Sequence, residues 1–152
     1  MKLLVILIIS AISLTSITPG LRIQKLVCKS LSGNTYFEAD IAEFSSLQSA
    51  KFSIDEKELN FTYKDEYHII FDEKSKVFTI GIESETSKSE KEYKFLDFWA
   101  VPSTFKDSIN DPKHSLAIYS FSAKIRAKDP RPDKEFETPE MLLNCTLTCT
   151  ER

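Results

Sequence analysis

The sequence predicts an all-β protein, an antiparallel β-sandwich or closed β-barrel of about eight to nine strands, preceded by a cleaved signal peptide. Three observations carry that expectation. Apolar and polar residues alternate with a period of two along most of the chain, between short polar breaks. No stretch of helix length holds a 3.6-residue apolar period. The opening of the chain, residues 1 to 20, differs in kind from everything after it.

That opening has a basic start at Lys2, an apolar run from Leu3 to Ile9, and small residues leading to Pro19 and Gly20. The pattern is that of a secretory signal, with Thr18 and Gly20 at the small-residue positions before a cut. A cut after Ser16 is the alternative. The fully apolar part is shorter than the roughly 20 residues of a spanning helix. Residues 21 to 152 are therefore expected to be a single domain with no membrane span, secreted to the cell exterior or to a periplasm.

The strands follow in order. Leu26, Cys28 and Ser30 share a face of the first, with Lys25 and Lys29 opposite. After the turn at Ser32, Gly33 and Asn34, Phe37, Ala39 and Ile41 alternate with Glu38 and Asp40. Ala50, Phe52 and Ile54, then Leu59, Phe61 and Tyr63, repeat the pattern. Tyr67 to Phe71 and Val77 to Ile82 flank a hairpin loop and are apolar on both faces, which marks them for the centre of the sheet. Glu83 to Glu92 is polar throughout and reads as an exposed loop. Tyr93 to Phe105 is the most aromatic segment, Lys106 to Ser115 a second loop, and Leu116 to Ala127 a strand with Tyr119, Phe121, Ala123 and Ile125 inward. Lys128 to Glu140 carries Pro130, Pro132 and Pro139 and reads as a third loop. Met141 to Cys149 is the last strand. Single helical turns fit only Phe44 to Leu47 and Pro102 to Asn110.

The cysteines sharpen this picture. Met141, Leu143, Cys145, Leu147 and Cys149 fall on one face of the last strand, so both thiols point inward. Four residues of extended chain hold them about 13 Å apart, too far for a disulfide between them. Cys28 lies on the apolar face of the first strand, and the economical bridge is Cys28–Cys145, with Cys28–Cys149 as the alternative. Cys149 is then a free thiol or the link in a disulfide-bonded dimer. A Cys-x-x-x-Cys zinc site conflicts with an oxidising compartment. No metal or cofactor is expected.

Charge and motifs exclude more than they assign. The formal net charge is −3, with both signs interspersed, which disfavours nucleic acid and anionic membrane surfaces as partners. Beyond the signal only Gly33 and Gly81 remain, and no nucleophile elbow, phosphate loop or His-Glu-x-x-His is present. A hydrolase would have to be built on His114 with Asp111 and Ser115, and His68 reads as an edge or surface residue. Asp107 with Asp111 and Asp129 with Asp133 lack the spacing of a calcium loop. Asn60 and Asn144 head sequons on outward strand faces and are possible glycosylation sites.

Two segments are candidate sites. In Tyr93 to Val101, strict alternation buries Tyr93, Phe95, Asp97 and Trp99 together, giving a ligand-lining face with a carboxylate of raised pKa. A bulge near Leu96 would instead turn Asp97 outward and leave Phe95, Leu96, Phe98 and Trp99 as core. In the proline-rich loop, Asp129, Arg131 and Asp133 are candidate interaction residues, the arginine offered to an acidic partner. The lipocalins share this size and an all-β plan, but their Gly-x-Trp near the first strand is missing, the one tryptophan being Trp99. The expected function is non-enzymatic binding of a protein partner, with a lipocalin-like carrier of a small apolar ligand as the alternative.

Overall fold

The computed structural model describes residues 20–87, 92–132 and 135–151. The expected signal segment therefore lies, apart from Gly20, outside the described residues. Among them, nine strands form one antiparallel sheet curled into a half-barrel, with two further short strands attached. In chain order these are β1 (Arg22–Lys29), β2 (Thr35–Ala42), β3 (Ser46–Ile54), β4 (Lys57–Thr62), β5 (Glu66–Asp72), β6 (Val77–Ser87), β7 (Glu92–Ala100), β8 (Lys106–Asp111), β9 (Leu116–Asp129), β10 (Phe136–Glu137) and β11 (Met141–Glu151). The sheet runs β4-β3-β2-β1-β11-β9-β7-β6-β5, with β8 and β10 both paired to β9.

The period-two patterning explains the curl. In β1 the inward residues are Gln24, Leu26 and Cys28, in β2 Phe37, Ala39 and Ile41, and in β11 Leu143, Cys145 and Leu147, all buried on the concave side. Folding the sheet over buries this apolar face against itself. Phe37 of β2 meets Phe98 of β7 with ring centroids 5.4 Å apart, and Phe98 also meets Phe78 at 5.5 Å in an edge-to-face contact. Each such ring contributes about 1.5–3 kcal/mol by leaving water. The two longest shared strands, β9 and β11, form the spine, paired from Met141↔Ile125 to Thr150↔Leu116.

Cys28 and Cys145 sit directly opposite one another on β1 and β11 and are joined by a disulfide, with Cα atoms 4.0 Å apart. The expected pairing holds because the two inward phases coincide in one register. Asn60 and Asn144 both lie on exposed, outward positions, Asn60 donating to Glu58 Oε1 at 2.7 Å.

Four expectations change. Tyr67–Phe71 is not central: β5 closes the sheet path, so its apolar pattern on both faces leaves Ile70 55% exposed. The strand of Val77 runs on to Ser87 and pairs with β7, Glu85 opposite Tyr93, because polar side chains are compatible with a ladder whose face is wet. Lys106–Asp111 is a strand rather than a loop, laid along the first half of β9. The proline-rich segment contributes a two-residue strand, Phe136 and Glu137 pairing with Asp129 and Lys128. The expected helical turn at Pro102 is present as a single 3-10 turn, Pro102–Thr104, which steps the chain from β7 to β8.

Two tight places stand out. Gly81 of β6 faces His68 of β5, and a Cβ on Gly81 would come within 2.0 Å of the imidazole, so a larger residue there would have to push the exposed ring aside. The β2–β3 connection is a turn in which Glu43 (φ 53°) and Phe44 (φ 57°) are both left-handed, closed by the Ser45 N–H donating to the Ala42 carbonyl at 3.2 Å. Asn-Gly is the usual choice for such a turn, and each non-glycine residue there costs about 1 kcal/mol or more.

Candidate interaction surface

Strand β7 keeps strict alternation in the phase opposite to the one that would bury Asp97. Asp97 therefore faces outward and Leu96 and Phe98 inward, as a bulge near Leu96 would also place them, but Phe95 and Trp99 do not join the core. Leu96, Phe98 and Ala100 are buried, whereas Tyr93 is 44% exposed and Phe95, Asp97 and Trp99 are half-buried on the convex face. Both phases of this strand are apolar, so local sequence leaves the choice open. Leu96 and Phe98 win because Phe37, Phe78 and Phe121 stand opposite to receive them, Phe98 lying 6.5 Å from Phe121. No bulge is needed at Leu96, since the ladder to β9 is regular from Phe95↔Lys128 to Ala100↔Ala123.

Asp97 accordingly sits at the surface, where Arg126 Nε and Nη2 each donate to its Oδ2 at 2.8 Å. The same guanidinium lies 5.8 Å from the centroid of Phe95. The cross-strand register extends this face sideways. Ile70, Thr79, Trp99, Lys124 and Leu142 form one row across five strands, and His68, Gly81, Asp97 and Arg126 form the next. Ile70 and Leu142, at opposite ends of the first row, are both more than half exposed. The cations of the face are drawn into pairs, Arg126 with Asp97 and Lys128 with Glu137 at 3.4 Å.

The proline-rich loop is built differently from the expectation. Asp129 is fully buried and accepts from the Arg131 backbone N–H at 3.1 Å and from its Nε at 2.8 Å, with Arg131 Nη2 on the second carboxylate oxygen. Burial pushes the Asp129 carboxyl up, but the Arg131 hydrogen bonds and the Arg131 and Lys94 charges outweigh it and hold it below the ordinary carboxylate value. Arg131 thus clamps its own loop instead of projecting toward a partner. Asp133 lies outside the described residues.

Asp111 and His114 do come together, Nδ1 to Oδ2 at 2.7 Å. Asp111 is at the same time the cap of the short 3-10 turn Pro112–His114, accepting from the Lys113 and His114 backbone N–H groups, and His114 is 76% exposed. That is a capping arrangement in open solvent. Cys149 is a half-buried free thiol whose pKa burial, helped by the Glu73 charge, pushes up to about 11. A thiol so held stays protonated near neutrality and reacts slowly. Among the described residues no three His, Cys, Asp or Glu side chains gather as a metal-ligand set, and no helix is long and apolar enough to cross a membrane.

Sequence reasoning missed the row from Ile70 to Leu142, because its members come from five strands and meet only through the register. Comparison with known proteins finds no matching family model, no matching curated protein and no matching solved structure.

Proposed function

We propose that the chain is a secreted or periplasmic β-domain without enzymatic activity that acts by binding another protein, and that the convex face of β7 is its contact surface. The observation that carries this is the outward turn of Tyr93, Phe95 and Trp99 along β7, with exposed Ile70 and Leu142 at the two ends of the row that runs through Trp99. Aromatic side chains and arginine are the residue types enriched where protein interfaces draw their energy. The charges that accompany the rings are already paired within the chain, so covering the face strands few unpartnered ions.

A carrier of an apolar ligand within the sheet finds the space along β7 taken. Phe37, Phe78, Phe98 and Phe121 fill it in mutual ring contact. The Cys28–Cys145 bridge is compatible with an oxidising compartment.

Native mass spectrometry of the protein recovered from its own host, wild type beside Phe95→Ser/Trp99→Ser, tests the proposal. The wild type is expected to carry a protein partner that the double variant has lost, with the melting temperature nearly unchanged because neither ring is in the core. A partner retained by the variant, or a wild-type chain free of any partner, rejects it.

A further inference from the structure

Asn144 and Thr146, the two ends of the sequon Asn144-Cys145-Thr146, border an open groove on the sheet. Its volume is about 590 Å³, inside the roughly 300–1,000 Å³ of small-molecule sites. One side is formed by the 3-10 turn Pro102–Thr104 and the start of β8, the other by β9 and β11. The polar lining is mostly hydroxyl, from Ser103, Thr104, Ser120, Ser122 and Thr146, joined by the amine of Lys106. The turn is tied to β9, the Ser122 N–H donating to Thr104 Oγ1 at 2.8 Å and that hydroxyl donating to the Val101 carbonyl at 2.6 Å. Hydroxyl groups both donate and accept, as do those of a sugar.

A second observation concerns the strand that carries the sequon. β11 is an interior strand, with Asn144 opposite Lys29 of β1 on one side and Ser122 of β9 on the other. Its middle residue, Cys145, is bonded to Cys28. An enzyme that modifies a sequon has to take the chain itself into a peptide groove, and a strand paired along both edges is not free to enter one. The side chains of Asn144 and Thr146 are nevertheless exposed. A group attached to Asn144 therefore has room in the folded protein, although its attachment has to come first.

We propose that Asn144 is an N-glycosylation site, modified before β11 enters the sheet and Cys145 bonds to Cys28, and that its first sugar then lies in the hydroxyl-lined groove. This rests on the secreted reading given above. In the transfer, a bond forms between Asn144 Nδ2 and the anomeric carbon of the sugar, and the bond from that carbon to the diphosphate of a polyprenyl-linked oligosaccharide breaks. The diphosphate leaves with the electron pair, and one amide proton passes to a base of the transferring enzyme. Asn144 lies two residues beyond Leu142 on the same face of β11, so the sugar bounds the proposed contact surface at that end.

The test expresses the full chain in a eukaryotic secretory host behind an added signal, so that entry does not depend on residues 1 to 20. Intact masses are compared for wild type, Thr146→Ala, which removes the sequon and keeps Asn144, and Thr146→Ser, which restores it. Thr146→Ala is expected to lose the mass of one glycan, and Thr146→Ser to recover it. In vitro, purified oligosaccharyltransferase with its lipid-linked donor should modify Asn144 in the reduced, unfolded chain and leave it bare in the folded, bridged protein. With the glycan trimmed to its first N-acetylglucosamine, the acetamido proton should show nuclear Overhauser contacts to Thr104 or Ser122. A bare Asn144 in the secreted wild type, modification of the folded protein at Asn144, or a first sugar without contact to the groove would overturn the proposal. Glycosylation that occurs only with the added signal would support the site and overturn secretion by residues 1 to 20.

Discussion

Replacing the disulfide by Cys28→Ala/Cys145→Ala, in a Cys149→Ser background that prevents reshuffling, is a direct probe of what holds the half-barrel together. The bridge joins residues 117 apart in sequence, so cutting it frees nearly the whole described chain in the unfolded state. On the chain-entropy relation a loop of this length is worth about 5 kcal/mol, at the top of the range for native disulfides. Both cysteines are buried, and deleting their sulfurs adds about 1 kcal/mol of lost packing, each sulfur being treated as somewhat less than a methylene. The expected loss is about 4–6 kcal/mol, since measured values usually fall below the entropic figure. For a chain of this length that corresponds to a fall in Tm of about 12–20 °C. Calorimetry of the variant, and of the Cys149→Ser parent with its bridge reduced, should agree. A fall under about 5 °C in both would refute the reasoning, because it would mean that the unfolded chain gains little freedom when the first and last strands are released.

Three further outcomes follow from the same geometry. Phe98→Ala removes the ring that bridges β2 and β9 across the interior and should cost about 3–5 kcal/mol in urea unfolding, whereas Phe95→Ala on the opposite face should cost under about 1 kcal/mol; equal losses would place the core on the wrong side of β7. Asp129→Asn breaks the clamp on Arg131 and should destabilise by about 2–3 kcal/mol at pH 7. Because the folded carboxyl is depressed below its ordinary value of 3.8, its stabilisation is present above that pH and is lost as pH falls through the folded value, so the gap between wild type and variant should narrow as the pH is lowered below 3.8 in urea melts. Cys149, with its pKa raised from 9.0 to about 11, should alkylate with iodoacetamide at pH 7.5 roughly a hundredfold more slowly than a cysteine in an unfolded peptide, and labelling at the peptide rate would contradict its placement.

Much of the architecture was legible one strand at a time. Where one phase of a strand is apolar and the other polar, as in Leu26 and Cys28 against Lys25 and Lys29, alternation alone identifies the inward face. The same rule at Met141 to Cys149 turned both Cys145 and Cys149 inward, with Cys145 the preferred partner of Cys28, and the ladder between β1 and β11 realises that pairing. The rule fails where both phases are apolar or both polar. Tyr93 to Val101 offers rings on either side, so two readings stood and neither separated Leu96 and Phe98 from Phe95 and Trp99, and Glu83 to Ser87 offers none, so a strand read as a loop. Asp129 and Arg131 looked like solvated loop charges because nothing local reveals that the carboxylate is enclosed and the guanidinium folded back on it.

By itself, then, the sequence determined the all-β character of the chain and the inward phase of its clearly amphipathic strands, Cys28, Cys145 and Cys149 included, because each depends only on spacing along an extended backbone; the register of β1 against β11 chose Cys145 over Cys149 as the partner of Cys28. The order of the strands, the edge position of β5 and the outward turn of the β7 aromatics were decided by tertiary structure. Each of these needs residues far apart in the chain to become neighbours, and which neighbours they become depends on how the curled sheet buries the greatest apolar area at once. Phe37 on β2 draws Phe98 inward, and Trp99 is left facing water.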